Sequence, residues 1–180
     1  MLKLRKNKKG FTLVELIVVI AIMAVLAGVV AGVTVSQLNK QTDKTGATQA
    51  NTVATFISEN ALISDEEATQ IVASIKVTES NTTTYKNVFL VQKVKELINA
   101  QYTAASIPVK NATDNGVDVN KKGQVIITFG TESNVKLNED DTTTVAVADT
   151  VIVTYKPKAS GTKTTTFTIN ADGVVTKTEA

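Results

Sequence analysis

The sequence predicts an α+β protein: a long N-terminal helix packed against a small antiparallel β-sheet head, with one or two extra helices. Three observations carry this prediction. From Leu16 to Asn39 the chain has no charged side chain. Apolar residues then recur at helical spacing as far as Tyr102, and from Gly123 onward they alternate with polar residues, which is the period of a β-strand.

The uncharged run is long enough to cross a membrane. Its 24 residues span about 36 Å as a helix, whereas the hydrocarbon core of a bilayer is about 30 Å thick. Two plainer interpretations compete, an ordinary single-span anchor and a cleaved secretory signal with Val29-Val30-Ala31 as its cleavage site. The apolar region of a signal peptide is typically about 7–15 residues, which disfavours the second.

Residues 36–63 are expected to continue the same helix, because small or apolar side chains form a stripe along them. The stripe consists of Leu38, Gly46, Ala50, Val53, Ala54, Ile57 and Ala61. Two more helices are predicted beyond it. Ser64 and Glu67 have the spacing of a capping box that starts the first, whose apolar face runs from Ala68 to Ile75. After a polar loop over residues 78–84, the second extends from Tyr85 to Tyr102.

Strands are predicted where apolar residues alternate in the last third of the chain. Those residues are Val125, Ile127 and Phe129; Val151, Val153 and Tyr155; Phe167 and Ile169; and Val175. Residues 170–173, Asn-Ala-Asp-Gly, predict a tight turn between the last two strands. Residues 135–147 are ambiguous and can add a short strand. We therefore expect an antiparallel sheet of three to five strands.

The charges are unevenly placed along the chain. The first nine residues carry five positive charges and no acid, whereas residues 10–180 carry 14 lysines against 17 carboxylates. Basic residues directly before an apolar run hold that end in the cytoplasm, so the part after Asn39 is expected outside the cell. The slightly acidic body gives no electrostatic reason to bind nucleic acid or an anionic surface, and the Lys121-Lys122 pair is too small for a nucleic-acid patch.

The composition excludes most enzyme classes. The chain has no cysteine and no histidine, and so no disulfide, no thiolate or imidazole metal site, and no Ser-His-Asp or Cys-His nucleophile. Acidic residues at 139–141, and Asp114 with Asp118, lack the spacing of a calcium loop. Sequons at Asn81 and Asn111 are too short a motif to assign glycosylation. We expect no catalytic residue, no metal and no cofactor, and hence a protein that is not an enzyme.

One carboxylate directly precedes the apolar run. An ionisable group within a membrane segment costs about 2.5–3.5 kcal/mol at the centre and less near an end, so Glu15 predicts a function. The chain around it reads Lys8-Lys9-Gly10-Phe11-Thr12-Leu13-Val14-Glu15-Leu16. With its basic leader and the long apolar helix that follows, this segment resembles the N-terminal segment of type IV prepilins. The resemblance covers roughly the first 35 to 60 residues.

The resemblance implies that a membrane prepilin peptidase cuts between Gly10 and Phe11, and that the new Phe11 amine is N-methylated. It also implies polymerisation into a filament whose core is made of these helices, driven by a separate assembly ATPase and a membrane platform protein. The family's conserved carboxylate falls on Glu15. Two departures are visible: Gly32 stands where many members have proline, and the C-terminal disulfide loop of many members is absent.

Elementary chemistry gives the same residues roles. Removal of the leader takes away five positive charges and creates an amine at Phe11, which lies four residues before Glu15 and so on the same helix face. In a filament, the Phe11 amine of a neighbouring subunit can pair with Glu15 and fix the register of the incoming subunit. Gly28 and Gly32 form a Gly-x-x-x-Gly face where two helix backbones can approach closely, although glycine is frequent in membrane helices generally.

The predicted organisation has four parts: a cleaved basic leader over residues 1–10, a transmembrane and filament-core helix over 11–35, its continuation over 36–63, and an extracellular α+β head over 64–180. The expected function is a structural subunit of a type IV pilus. The chain would be inserted in the cytoplasmic membrane as a single-pass prepilin and assembled as a homopolymer on the cell surface, for adhesion, motility, biofilm formation or DNA uptake. Two alternatives stay open: a pseudopilin of a type II secretion or competence system, and a single-span surface protein that does not polymerise.

Overall fold

The computed structural model describes residues 11–63, 70–79, 82–137 and 142–180. The chain divides into two units, Met1–Asn39 and Lys40–Ala180. Helix α1, Leu13–Ala61, contributes its first part to one unit and its second part to the other. The helix is therefore continuous through the predicted junction between residues 35 and 36, while the predicted limits of leader, membrane span and head remain predictions.

The first unit contains the apolar part of α1. Every side chain from Phe11 to Leu38 is exposed. By length and composition, this is the one helix among the described residues that could cross a membrane. The hydroxyl of Thr34 donates to the carbonyl of Val30 at 2.7 Å, so this polar group has its partner inside the helix, as lipid surroundings require.

The second unit, which we call the head, holds the rest of α1, a second helix and nine strands within its described residues. In chain order they are β1 Val72–Glu79, β2 Thr82–Leu90, α2 Val91–Tyr102, β3 Val109–Asn111, β4 Val125–Phe129, β5 Glu132–Val135, β6 Val145–Ala148, β7 Thr150–Tyr155, β8 Thr165–Asn170 and β9 Val175–Glu179. They form a four-stranded sheet, β1-β2-β6-β5, and a five-stranded sheet, β3-β4-β7-β8-β9. The α+β class predicted from the sequence is confirmed.

The core of the head joins one face of α1 to the inner face of the five-stranded sheet. The helix contributes Ala50, Val53, Ala54 and Ile57, all fully buried at helical spacing. The sheet contributes alternate residues of its central strands, Val125, Ile127, Val151, Val153, Phe167 and Ile169. Leu38, which was predicted in the apolar stripe, is instead exposed and lies in the first unit.

The helix predicted from Ser64 is wrong where the structure describes it. Its capping box lies outside the described residues, but Val72–Glu79 form strand β1. This strand pairs with β2 along its whole length, from Val72 opposite Phe89 to Glu79 opposite Thr82. β-branched residues recur through both strands, and they favour the extended backbone when a partner strand is available.

The helix predicted over residues 85–102 is right only in its C-terminal part. Within the predicted polar loop, residues 78–79 belong to β1 and residues 82–84 to β2; Tyr85–Leu90 continue β2, and α2 begins at Val91. The last two residues of β2 pair with β6, and one of them, Phe89, is fully buried. Pairing with a distant strand thus outweighs the helical spacing of the local sequence.

The strands predicted after Gly123 are confirmed, and the ambiguous segment over residues 135–147 contains the last residue of β5 and most of β6. The second sheet is not predicted by the sequence, and β3 joins β4 in parallel. The predicted turn connects β8 to β9: Asn170 Oδ1 accepts the N–H groups of Asp172 and Val174. Gly173 there has a φ of 78°, a left-handed conformation that glycine adopts without strain.

A buried carboxylate fastens the β7–β8 loop to α1. Asp43 is 4% exposed; its Oδ1 accepts the Tyr155 hydroxyl at 2.9 Å and the Lys158 N–H at 2.7 Å, and its Oδ2 accepts the Ala159 N–H at 2.9 Å. Hydrogen bonds to a charged group contribute about 1.5–3 kcal/mol each. Gly46 makes room for the Tyr155 ring, since a Cβ there would lie 2.1 Å from Cε2 and Cζ. We call these five residues the Asp43 anchor.

The phenol of Tyr155 stays protonated in the Asp43 anchor. Burial is the main cause that raises the pKa of Tyr155, and the hydrogen bond and negative charge of Asp43 raise it further. The hydroxyl is therefore available as a donor to Asp43 throughout the physiological pH range.

We expect Gly46→Ala to destabilise the head. The new methyl group overlaps the Tyr155 ring, and overpacking costs about 1–3 kcal/mol, whereas replacing a helical glycine by alanine gains only about 0.5–1 kcal/mol. The melting temperature of the full chain in detergent, followed by circular dichroism, should fall by several degrees. Thr45→Ala, at the exposed neighbouring position, is the matched control and should not lower it. A Gly46→Ala protein as stable as the parent would contradict the close approach.

Candidate processing and assembly site

Thr12 and Glu15 form a capping box at the start of α1. The helix begins at Leu13. Oε2 of Glu15 accepts the backbone N–H and the hydroxyl of Thr12, both at 2.9 Å, and the Thr12 hydroxyl oxygen accepts the N–H of Glu15 at 3.3 Å. Thr12 is thus the N-cap and Glu15 the third helical residue, so two backbone N–H groups that a helix start leaves open find partners.

The capping box also provides hydrogen-bond donors to the Glu15 carboxylate. A carboxylate in apolar surroundings is costly unless donors reach it, and here two donors of the same chain reach one of its oxygens. The second oxygen, Oε1, accepts no hydrogen bond from the described residues. As far as the described residues are concerned, the arrangement therefore leaves one oxygen of Glu15 available to a donor from outside the chain.

The residues predicted for processing lie at the edge of the described chain. Phe11 precedes the helix and its side chain is 89% exposed. Gly10 lies outside the described residues, so cleavage between Gly10 and Phe11 and methylation of Phe11 stay predictions. The pairing of a Phe11 amine with Glu15 concerns the cleaved chain and also stays a prediction.

Thr12 is a functional candidate that the sequence reading missed, because Glu15 was treated as an isolated charge. The signal was present. Residues 12–15 read Thr-Leu-Val-Glu, which is the Ser/Thr-x-x-Glu spacing of a capping box directly before an apolar run.

The two glycines predicted for helix packing make no close contact with the other described residues. A Cβ placed on Gly28 or Gly32 meets nothing within 4 Å. Their apolar neighbours Leu26, Val29 and Val30 are all exposed. No contact of the described residues therefore requires glycine at either position, and the predicted close approach of a second helix stays a prediction.

The other candidate groups serve the fold or lie outside the described residues. Asp114 accepts the side-chain amide of Asn111 at 3.1 Å, and Asp118 accepts the N–H of Asn120 at 2.8 Å. No group of three metal-ligating residues occurs in the part of the chain that the structure describes. Asn111 is completely buried, which closes its sequon to modification in the folded head. Asn81 and the acidic residues at 139–141 lie outside the described residues.

The comparisons with known proteins agree with this site. Residues 5–31 match the family model described as the prokaryotic N-terminal methylation motif. No significant match was found among curated proteins or among solved structures. The chain carries the leader signature of type IV prepilins, and its long helix packed against antiparallel sheets has the α+β layout of type IV pilins. The match is confined to residues 5–31 and supports a type IV pilin-like prepilin, of a pilus or a pseudopilus.

We expect Thr12→Ala to loosen the first turn of α1. Loss of an N-cap side chain costs about 1 kcal/mol, which corresponds to roughly fivefold faster amide exchange at the helix start. The test is hydrogen exchange of the Glu15 and Leu16 amides, measured by NMR on the full chain in lipid discs. Thr12→Ser keeps the hydroxyl and should exchange like the parent. Equal, parent-like rates in both variants would show that the hydroxyl does not cap the helix.

Proposed function

We propose that this chain is the structural subunit of a type IV pilus, processed by a peptidase and not itself an enzyme. The observation that carries the proposal is the methylation motif at residues 5–31, which overlaps a helix whose side chains from Leu16 to Val33 are all apolar. The motif implies processing by a prepilin peptidase. The polymer, its surface location and its use in adhesion or motility are part of the proposal.

Processing would change the charge at one end of the helix. Hydrolysis of the amide bond between Gly10 and Phe11 consumes one water, leaves a carboxylate on Gly10 and frees an amine on Phe11. The leader departs with its five positive charges. N-methylation of the new amine keeps its positive charge. The chain thereby exchanges a basic segment that holds it to the cytoplasmic face for a single cation beside Thr12 and Glu15.

The capping box offers a way to keep Glu15 partnered before and after assembly. In the unassembled subunit, Thr12 donates two hydrogen bonds to one carboxylate oxygen. The open oxygen could then accept the Phe11 amine of the neighbouring subunit. Removing one partner of a buried ion pair costs about 3–5 kcal/mol, so a subunit out of register would be strongly disfavoured. We propose this pairing as the interaction that sets subunit register.

Small residues would let the filament helices pack. Association of helices in lipid has no hydrophobic driving force and depends on close packing. Gly28 and Gly32 are exposed on the helix surface, and no contact among the residues that the structure describes requires glycine there, which supports a role between subunits. A separate assembly ATPase and a membrane platform protein would supply the work of extraction, since the chain has no phosphate-binding Gly-x-x-x-x-Gly-Lys-Ser/Thr loop.

A pseudopilin of a secretion or competence system is the second candidate, because the methylation motif supports it equally. Both are processed filament subunits, and they differ in where the filament ends. Long filaments that can be sheared from the cell surface would favour the pilus, and a processed chain confined to the membrane would favour the pseudopilus. A single-span protein that does not polymerise would keep its leader.

We expect Glu15→Gln to block filament incorporation without blocking processing. The substitution keeps the size of the side chain and removes the charge that would attract a neighbouring amine. Processed subunit should accumulate in the membrane, and the amount in the sheared surface fraction should fall about tenfold or more. Glu59→Gln, on an exposed position of the same helix, is the matched control and should assemble normally. Normal filaments from Glu15→Gln would rule out the charge pair.

A further inference from the structure

Two loops at one end of the head lie side by side. Residues 112–124 connect β3 to β4, and residues 156–164 connect β7 to β8. The N–H of Gly123 donates to the carbonyl of Lys156 at 2.7 Å, and the ammonium of Lys156 donates to Oδ1 of Asn120 at 3.0 Å. Together they line an open cavity of about 440 Å³ that includes Lys122 and Ser160. The two loops therefore form one surface.

This surface lies beside the first turns of α1 that belong to the head. The Asp43 anchor binds the loop at Lys158 and Ala159. Lys40 is the first residue of the second unit, and Lys44 directly follows Asp43; both are exposed. The helix thus adds two lysines next to the loops.

The lysines at this end of the head are exposed, apart from the half-buried Lys156, and neither the buried Asp43 nor the exposed Asp118 forms an ion pair with one of them. The six lysines that we call the basic end are Lys40, Lys44, Lys121, Lys122, Lys156 and Lys158. Asp43 is buried, with both oxygens accepting hydrogen bonds, and Asp118 caps its own turn through the N–H of Asn120. Within the described residues, no carboxylate lies within ion-pair distance of the basic end. An ion pair elsewhere on the described head joins Lys177 and Glu179, which are not part of the basic end.

The total charge of the head is slightly acidic, although several of its lysines are concentrated on one surface. Residues 40–180 carry 14 lysines and 16 carboxylates, yet six of those lysines share one end of the head. The expectation from the sequence, that the body gives no electrostatic reason to bind an anionic surface, rests on the total charge and does not take this grouping into account. Summing charge along the chain missed it, because the lysines come from three separate segments.

We propose that the basic end docks on the anionic phospholipid headgroups of the membrane that holds the unassembled subunit. The proposal rests on the membrane insertion of the first unit, which belongs to the proposed function. Lys40 follows the predicted span, which ends at Val35, by five residues, so the length of the connecting chain keeps Lys40 close to the end of that span. Clusters of four to eight basic residues beside a membrane helix are attracted by anionic headgroups over about a Debye length.

Docking would hold the head of a waiting subunit at the membrane without locking it there. The attraction comes from exposed ammonium groups, so it is screened by salt and lost once the head moves beyond about 10 Å. Entry into the filament would then break no buried contact. The loops contain no aromatic residue over 119–124 or 156–164, so the surface lacks the stacking groups of a single-stranded nucleic-acid site.

The test uses the full chain reconstituted in phospholipid vesicles. Because the chain has no cysteine, Ser160→Cys provides a single site for a spin label on the exposed loop. Accessibility of this label to a water-soluble nickel chelate is measured in vesicles that contain phosphatidylglycerol and in vesicles of phosphatidylcholine alone. We expect accessibility about threefold lower with phosphatidylglycerol, and recovery of the higher value in 1 M salt.

Two charge-matched variants and one insertion control complete the test. Gln in place of Lys121, Lys122, Lys156 and Lys158 should remove the lipid dependence. Gln in place of Lys86, Lys93, Lys95 and Lys136, elsewhere on the head, should preserve it. A label at Val25→Cys reports insertion of the helix separately, so failure of insertion is distinguishable from failure of docking. Equal accessibility at residue 160 in both lipids, with the helix inserted, would overturn the proposal. Protection that follows protein density and not lipid charge would also overturn it, in favour of a second copy of the chain.

Discussion

An ionised carboxylate in an apolar helix needs hydrogen-bond donors wherever that helix goes, and Glu15 imposes this requirement on the chain. In the single subunit the donors come from Thr12, three residues earlier. The same segment carries the methylation motif, whose processing would place a protonated amine one residue before Thr12. Carboxylate, cap and new amine thus lie within five residues, so one short segment can serve a subunit alone in lipid and a subunit in a filament.

The two parts of helix α1 differ in how much of their surface is exposed. Up to Leu38 every side chain is exposed, and the first buried residue of the helix is Asp43. Beyond Asp43, one face of the helix is buried and the opposite face is exposed. The Asp43 anchor and the buried face over residues 50–57 join the helix to the rest of the head. No buried residue of the described head precedes Asp43, so substitutions earlier in the helix leave the described core of the head unchanged. The basic end begins at this same transition, where lysines replace aliphatic residues.

Features that depend on neighbouring residues in the chain could be predicted from the sequence. The apolar helix, the strands β4, β7 and β8 and the turn before Gly173 all follow from local period and turn chemistry. The errors arose where pairing between distant segments decides the structure. The local spacing of apolar residues predicted helices at β1 and β2, because it does not reveal that β1 pairs with β2 and that β2 pairs with β6. The Asp43 anchor was missed because Asp43 and Tyr155 are 112 residues apart, and the basic end because three segments assemble it. Thr12 differs, since its capping signal was local and was overlooked.

The most direct measurement is the intact mass and N-terminal sequence of the chain, recovered separately from membranes and from material sheared off the cell surface. A processed pilin predicts a chain that begins at N-methylated Phe11 and is abundant in the sheared fraction. The same chain found only in membranes would move the assignment to a pseudopilin. A chain that retains its basic leader in both fractions would contradict processing, and with it the proposal that the Phe11 amine and Glu15 set the register of a filament.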